Sequence, residues 1–581
     1  MKKYLFVYLS SMFICLFGGT VCAYSDDIID LGQITVTGTS DENSLINKHE
    51  SNVYSAKDIA DLLYYNSGVD LQNRAGQMGL ADFSIRCAIF EDSDIRLNGI
   101  KLNNPQTGHF NLMLPIVLTD IGSVDVDRNG QSINLNISQN RDSEKTLRVM
   151  SGNRGFLSSM MTVSSSSEKK YQRFSFSADR TDGLSDNTDG DSNIFTYSFS
   201  GKIQEINVDL LLGHSYRRFG IGGAYAAPWY EREEERIVQD LLILKMATET
   251  DSLLYSLSPY ITMTKDTFWL DRDAPDSYRN DHKTYVAGIK ADVMAADELS
   301  GVTLDVKRES IRSNTLGDDY RDISELIFFK KIKIMNMQLE VLPAVTFLDN
   351  GPFKFIPKIN CIMPLNEAMD VTFDAVRKYR MPSFTELYYD SPSNKGNDRL
   401  SPQRTDNFEL GIDFENTIFN ARVDGFYRRQ RDTIDWTRNE SDIYYSALNV
   451  GKLDVMGLDI YAEYEINRFF IEKVSFEYTR MNMDKSQLYD YSKYAFLYPK
   501  DKAVLNFYMQ KGRYSMNIGL VYEDHSVFGG RFLANCGGDY TFNENMKIFW
   551  DIKNLFDRNY YEIYDVEGDG MDFKVGFQIT F

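Results

Sequence analysis

The sequence predicts a membrane all-β protein: a transmembrane barrel of about 22 antiparallel strands, with a small α+β domain on its N-terminal side. Three observations predict it. From about Arg141 onward the 581-residue chain falls into alternating segments, each of roughly eight to eleven residues, the length of a membrane strand. Past the N-terminal segment no run approaches the ~18 apolar residues of a membrane helix, so a membrane reading must use strands. At the end, Phe573, Val575, Phe577, Ile579 and Phe581 alternate with Lys574, Gly576, Gln578 and Thr580. An ordinary edge strand with so apolar a face invites aggregation. In a closed barrel that face meets lipid and no edge is left free.

In chain order, Lys2 and Lys3 precede an apolar stretch, 5–17, and Val21-Cys22-Ala23 ends it with small residues. This reads as a secretory signal peptide over 1–23. Residues 24–52 are polar and read as a linker, apart from one short alternation through Ile34, Thr35, Val36 and Thr37. The small domain is expected over 53–140. Its helix is predicted over 55–66, with Ser55 as N-cap and Asp58 three residues on, and Ile59, Leu62 and Leu63 on one face. A strand begins at Val69. In 81–116, Phe83 and Ile85 alternate with polar neighbours, as do Ile95 and Leu97. Asn98-Gly99 predicts a turn with φ > 0. Residues 103–109 are a polar loop held between Leu102 and Leu112. Strands over 121–130 and 133–138 close the domain.

The barrel is expected over 141–581. Clear alternation lies in 173–178, 193–200, 207–212, 371–375 and around Val521-Tyr522. Divided over about 22 strands, the chain leaves about 20 residues for each strand and its connection. A large soluble all-β protein fits that arithmetic too. The 36 Tyr and 37 Phe suit aromatic girdles at two membrane interfaces.

A net charge of −21 argues against nucleic acid as partner. Past the signal only Cys87, Cys361 and Cys536 remain, with neither a disulfide framework nor zinc-ligand spacing. The five histidines are never adjacent, which disfavours haem uptake. No nucleophile–base arrangement or phosphate loop is present, so no enzyme is expected.

Several stretches, in order, resemble TonB-dependent outer-membrane receptors of the cobalamin-receptor-like branch. They are NNPQTGHFNLMLPI (103–116), FGIGGAYAAPWYEREEE (219–235), RDAPDSYRNDH (272–282), KRESI (307–311) with Leu316-Gly317, and RMPSFTELY (380–388) with Asn397 and LSPQ (400–403). Asn449-Val450-Gly451, Gly457 and KNLFD (553–557) with Tyr560 and Glu562 complete the series. Gln403 stands where the family signature has Glu. The resemblance implies that 53–140 is a plug inside the barrel. It implies a monomer in the outer membrane of a Gram-negative bacterium, surrounded by lipid. It also implies that Ile34, Thr35, Val36 and Thr37 are a TonB box, added as a strand to TonB. The function implied is energised import of a scarce ligand, cobalamin or a related corrinoid first and a ferric siderophore second. A non-transporting binding protein is the reading from another class. Two departures bear on gating. The plug ends sooner after Gly130 than its relatives, and Cys87 replaces a glycine.

Two plug loops are the expected substrate site: Ala88, Ile89, Phe90 and Glu91, then Gln106, Thr107, Gly108, His109 and Asn111. Their donors and acceptors carry little fixed charge, which suits a neutral ligand rich in polar groups. The alternative is that 103–109 only ties the plug to the wall. Asp182, Asp186, Asp189 and Asp191 are candidate calcium ligands, with a solvated loop as the alternative. The acidic run 231–235 reads as a solvated charge run.

Overall fold

The structure, a computed structural model, describes residues 55–581 except 75, 79, 139, 168, 223–231, 350, 486–488, 495–496, 564–565 and 569. The signal peptide, the linker and the TonB-box expectation at Ile34, Thr35, Val36 and Thr37 lie outside the described residues.

Alternation and closure build the barrel together. The wall is an antiparallel sheet of 22 strands, from Lys145–Gly152 to Asp572–Thr580. Its first and last strands pair, Val149 opposite Phe577, so no edge remains. Two wall strands are interrupted, Met337–Leu342 from Ala344–Leu348 at Pro343, and Lys354–Phe355 from Lys358–Asn366 near Pro357. Proline has no N–H for the ladder, but both carbonyls still accept, from Phe328 and Arg377, each at 3.0 Å.

The burial pattern is that of a membrane barrel. On Gln403–Glu415, Phe408, Leu410 and Ile412 face outward, while Asn407 and Glu409 are buried in the lumen. On the last strand Phe573 and Val575 face outward and Lys574 is 1% exposed. Apolar side chains meet lipid, and the interior is polar. Tyr464, Phe469, Phe470 and Tyr514 are exposed toward one end of the barrel, and Tyr320, Phe353 and Phe532 toward the other. Many strands exceed the expected eight to eleven residues; Arg279–Ala295 has 17 and Gly317–Ile334 has 18. Their ladders run on past the length a bilayer requires.

Inside lies the plug. Helix α1 is Ile59–Leu63, followed by strands β1 (Val69–Asn73), β2 (Ala81–Ile85), β3 (Asp94–Leu97), β4 (Ile100–Lys101), β5 (Ile121–Asp127) and β6 (Ser132–Ile137). β1 pairs with β2, and the other four order as β4-β3-β6-β5. Leu63, Val69, Ile85, Ile95, Leu97, Val124, Ile133 and Leu135 form a core with 0% exposure. Asn98 and Gly99 have φ of 48° and 75° and turn β3 into β4, as their residue types require.

The helix starts later than Ser55. Asp58 is the N-cap and accepts from Asp61 N at 2.9 Å, while Asp61 reaches back to Lys57 N at 3.0 Å. Those two bonds satisfy two backbone donors at the helix start.

Candidate functional site

The two plug loops meet beneath the long loops of the barrel. Buried Asp82 on β2 anchors them. It accepts from Arg74 Nε at 2.5 Å and lies 2.7 Å from His109 Nδ1. Burial opposes its charge, but Arg74 and His109 hold its carboxyl below the usual range. His109 shifts down as well, because burial outweighs the nearby carboxylate. The imidazole is therefore neutral at pH 7. Phe90 stacks on it, with ring centroids 4.2 Å apart and planes at 22°. Tyr494, from the loop above, meets Phe90 edge-on at 4.9 Å. Arg74 lies 5.7 Å from the centre of the Tyr494 ring. A cation, a neutral imidazole and two phenyl faces thus share one spot.

Glu91 borders it. Burial, then the Glu386 carboxylate, push its pKa up to about 8. Thr107 Oγ1 donates to it at 3.3 Å.

Gln106 ties the second loop to the wall, its Nε2 donating to Asp266 at 3.0 Å. Helix α2, Phe384–Tyr388, sits on the same loop. Ser383 and Glu386 form its capping box, and Phe384 N and Thr385 N donate to the carbonyls of Pro105 and Gln106 at 2.9 and 3.1 Å. Loop segments Asn394–Lys395, Tyr445–Asn449, Ile434–Arg438 and Tyr491–Ser492 form a small sheet. Among the described residues three buried amide atoms of the second loop find no hydrogen-bond partner: Asn104 Nδ2, Gln106 Oε1 and Asn111 Nδ2. Each such atom costs about 1–3 kcal/mol. Ala88, Ile89 and Gly108 are buried as well.

Sequence reasoning missed the node that holds these loops. Asp92 accepts from Gln403 Nε2 at 2.8 Å and Gln430 Nε2 at 2.9 Å, with Arg380 Nε at 2.7 Å. Arg380 also forks onto Glu386 at 2.7 and 3.2 Å. The Arg and Glu of the 380–388 motif are thus partners.

The aspartate cluster spreads out. Asp189 is held by Arg272 at 2.5 and 3.1 Å. Asp182 is exposed, 3.5 Å from Arg180, Asp186 stays in the loop, and Asp191 belongs to the strand Gly190–Ile203. Among the described residues no three His, Cys, Asp or Glu side chains gather as metal ligands. In the acidic run Glu231 lies outside the described residues, but Glu233, Glu234 and Glu235 are not solvated: they are at most 4% exposed, and Glu234 pairs with Arg218 and Arg272. His214 pairs with Asp240 and His282 with Ser313, each at 2.7 Å. Cys87, Cys361 and Cys536 are free thiols.

Residues 343–555 match the family model described as TonB dependent receptor-like, beta-barrel. The match spans strands Ala344–Leu348 to Met546–Lys553 and the loops that carry α2 and the small sheet. In three dimensions the chain is similar to the FrpB iron transporter of Neisseria meningitidis, with a TM-score of 0.77 and 11% identity over 93% of this chain and 99% of that one. It is similar to the copper transporter OprC, with a TM-score of 0.75 and 14% identity over 90% and 96%. A third similar structure is a mutant of the ferric enterobactin receptor PfeA of Pseudomonas aeruginosa in complex with enterobactin. Its TM-score is 0.74, with 14% identity over 92% and 98%.

Proposed function

We propose that this chain is a TonB-dependent outer-membrane receptor of a Gram-negative bacterium that imports a scarce metal-bearing ligand. The observation that carries the reading is a closed barrel around a folded plug, with residues 343–555 of its wall and loops matching the TonB dependent receptor-like model. A filled barrel is no passive pore, so import needs work on the plug. That work comes through TonB, which pairs with Ile34-Thr35-Val36-Thr37 by strand addition. Ligand binds at the outer plug surface, against Ala88, Ile89, Phe90 and Glu91, and Gln106, Thr107, Gly108, His109 and Asn111. The stacked Phe90–His109 pair offers flat apolar area, and the unpartnered amide atoms offer neutral donors and an acceptor. A ferric siderophore is the ligand that the similar iron and enterobactin proteins support. A corrinoid is the ligand that the run 103–116 supports.

The test is titration of the refolded receptor with ferric enterobactin and with cyanocobalamin, each with and without calcium, followed by uptake into cells. Deleting 31–39 should abolish uptake and leave binding intact. Uptake that survives the deletion would refute TonB coupling. Binding without uptake in the intact receptor would favour the non-transporting reading.

A further inference from the structure

The plug is not held equally around its circumference. On one side Arg173 Nε donates to Asp120 at 2.6 Å, and Val117 N donates to Thr196 at 2.8 Å. Next, Leu112, Leu114 and Ile116 join one apolar cluster with wall residues Leu211, Leu241 and Val286. There Arg217 donates to two plug carbonyls, and Gly213 lets the wall backbone close on Pro115. Further round, Arg86 and Arg128 enter the wall carboxylates of Glu409, Asp459 and Glu477. Beyond them Lys502 donates to the Val69 carbonyl, and Glu562 accepts from Asn73 N.

Between the apolar cluster and the arginines the contact opens into a cavity of about 210 Å³. Its lining follows from strand alternation. Ile95, Leu97, Ile133 and Leu135 point into the plug core, so Arg96, Ser132 and Asn134 face the other way and line the cavity. Asp305 and Glu325 line it from the wall strands Ser300–Ser313 and Gly317–Ile334. Two lysines reach across: Lys358 Nζ to Asp127 at 3.4 Å, and Lys378 Nζ to the Asp92 carbonyl at 2.7 Å. A lysine is a point charge on a flexible stem, whereas the arginines elsewhere grip carboxylates with a planar fork.

We propose that this seam is the side on which the plug parts from the wall, and that a hydrated polar ligand passes along it. The inference rests on the import reading above. Parting here breaks lysine contacts to Asp94, Asp127 and the Asp92 carbonyl but none of the arginine forks of Arg86 and Arg128, and both faces are already polar. On the other sides parting breaks an arginine pair, exposes apolar core or takes β1 from both Lys502 and Glu562.

The test cross-links the seam in the full-length receptor. Asn134→Cys with Glu325→Cys is bridged by a reducible bifunctional methanethiosulfonate. The control is Thr119→Cys with Thr162→Cys, whose native hydroxyls are 3.0 Å apart on the Arg173 side. Uptake of radiolabelled ferric enterobactin and of cyanocobalamin is followed in cells. The seam link should abolish uptake, reductant should restore it, and the control link should leave it unchanged. If both links block, the plug leaves whole and the seam is no special route. If neither blocks, or only the control does, the inference is overturned. If the unlinked double variant imports nothing while the parent does, Ser132→Cys with Asp305→Cys takes its place. No uptake by the parent would overturn the import reading, and this inference with it.

Discussion

At Asp92 one buried carboxylate gathers Gln403, Gln430 and Arg380, and Gln403 also accepts from Ile434 N at 3.0 Å. Both ends of its amide are used, and a glutamate has no donor for Asp92. Gln403→Glu, the residue of the family signature, should therefore destabilise the plug–loop contact by roughly 2–4 kcal/mol at neutral pH, because a like charge replaces a charge-assisted hydrogen bond. The check is the thermal midpoint of both proteins at neutral pH, and an unchanged midpoint would refute this account. Glu91 makes a second case. Its pKa is raised from 4.5 to about 8, so its favourable contribution is full below pH 4.5 and is lost as pH rises through about 8. Wild-type stability should fall across that window, and Glu91→Gln should flatten the fall. Cys87 was legible as an oddity and its φ of 61° bears that out; a left-handed residue costs about 1–2 kcal/mol, offset here by burial against Phe426, Leu453, Val455 and Met481. Asp92 was not legible, since its glutamine partners stand 311 and 338 residues away.

Strands were the legible elements, because inside and outside alternate with period two and the sequence carries that period openly. The final strand shows how far this goes. Val575 faces outward and Lys574 inward beside Asp572, so Val575→Arg should cost about 2–4 kcal/mol near the bilayer midplane. It should lower the yield of heat-modifiable, folded barrel on unheated gels, and Gln578→Asn, half-buried at the seal with Arg148, should not. Short elements were less legible. Helix α1 began at Asp58 because one side-chain cap outcompeted another. The run 231–235 looked solvated because the partners of Glu234 are Arg218, on the paired strand, and Arg272, in the loop after the next strand. Helix α2 was hidden in a motif whose residues read as a signature rather than as a cap. Ser383→Ala should cost it about 1 kcal/mol, seen as faster proteolysis of the loop 381–402.

For the molecule as a whole, barrel and plug belong together in a way the plug sequence alone does not reveal. The plug's own core is small, and charge holds it in place. Arg86 meets Glu409 at 2.5 Å and Asp459 at 2.5 and 2.8 Å, and its guanidinium lies 4.2 Å from the centre of the Phe426 ring. Arg128 meets Glu477 at 3.0 Å, the same carboxylate that accepts from Ser67 N. Removing one side of such a buried pair costs up to about 3–5 kcal/mol, less where the remaining carboxylates keep second partners as Glu409 does in Arg422 and Asp459 in Arg128, whereas replacing the set by neutral groups of similar size is often close to neutral. Arg86→Ala should therefore loosen the plug and admit ions. Planar bilayers should show frequent openings for this variant and a closed baseline for the parent. The triple change Arg86→Met, Glu409→Gln and Asp459→Asn should close the barrel again, because no charge is left stranded. If Arg86→Ala stays closed, the apolar cluster around Leu112 and Ile116 holds the plug without its ion pairs. If the triple variant leaks as much as the single one, the pairing with Arg86 is itself the seal.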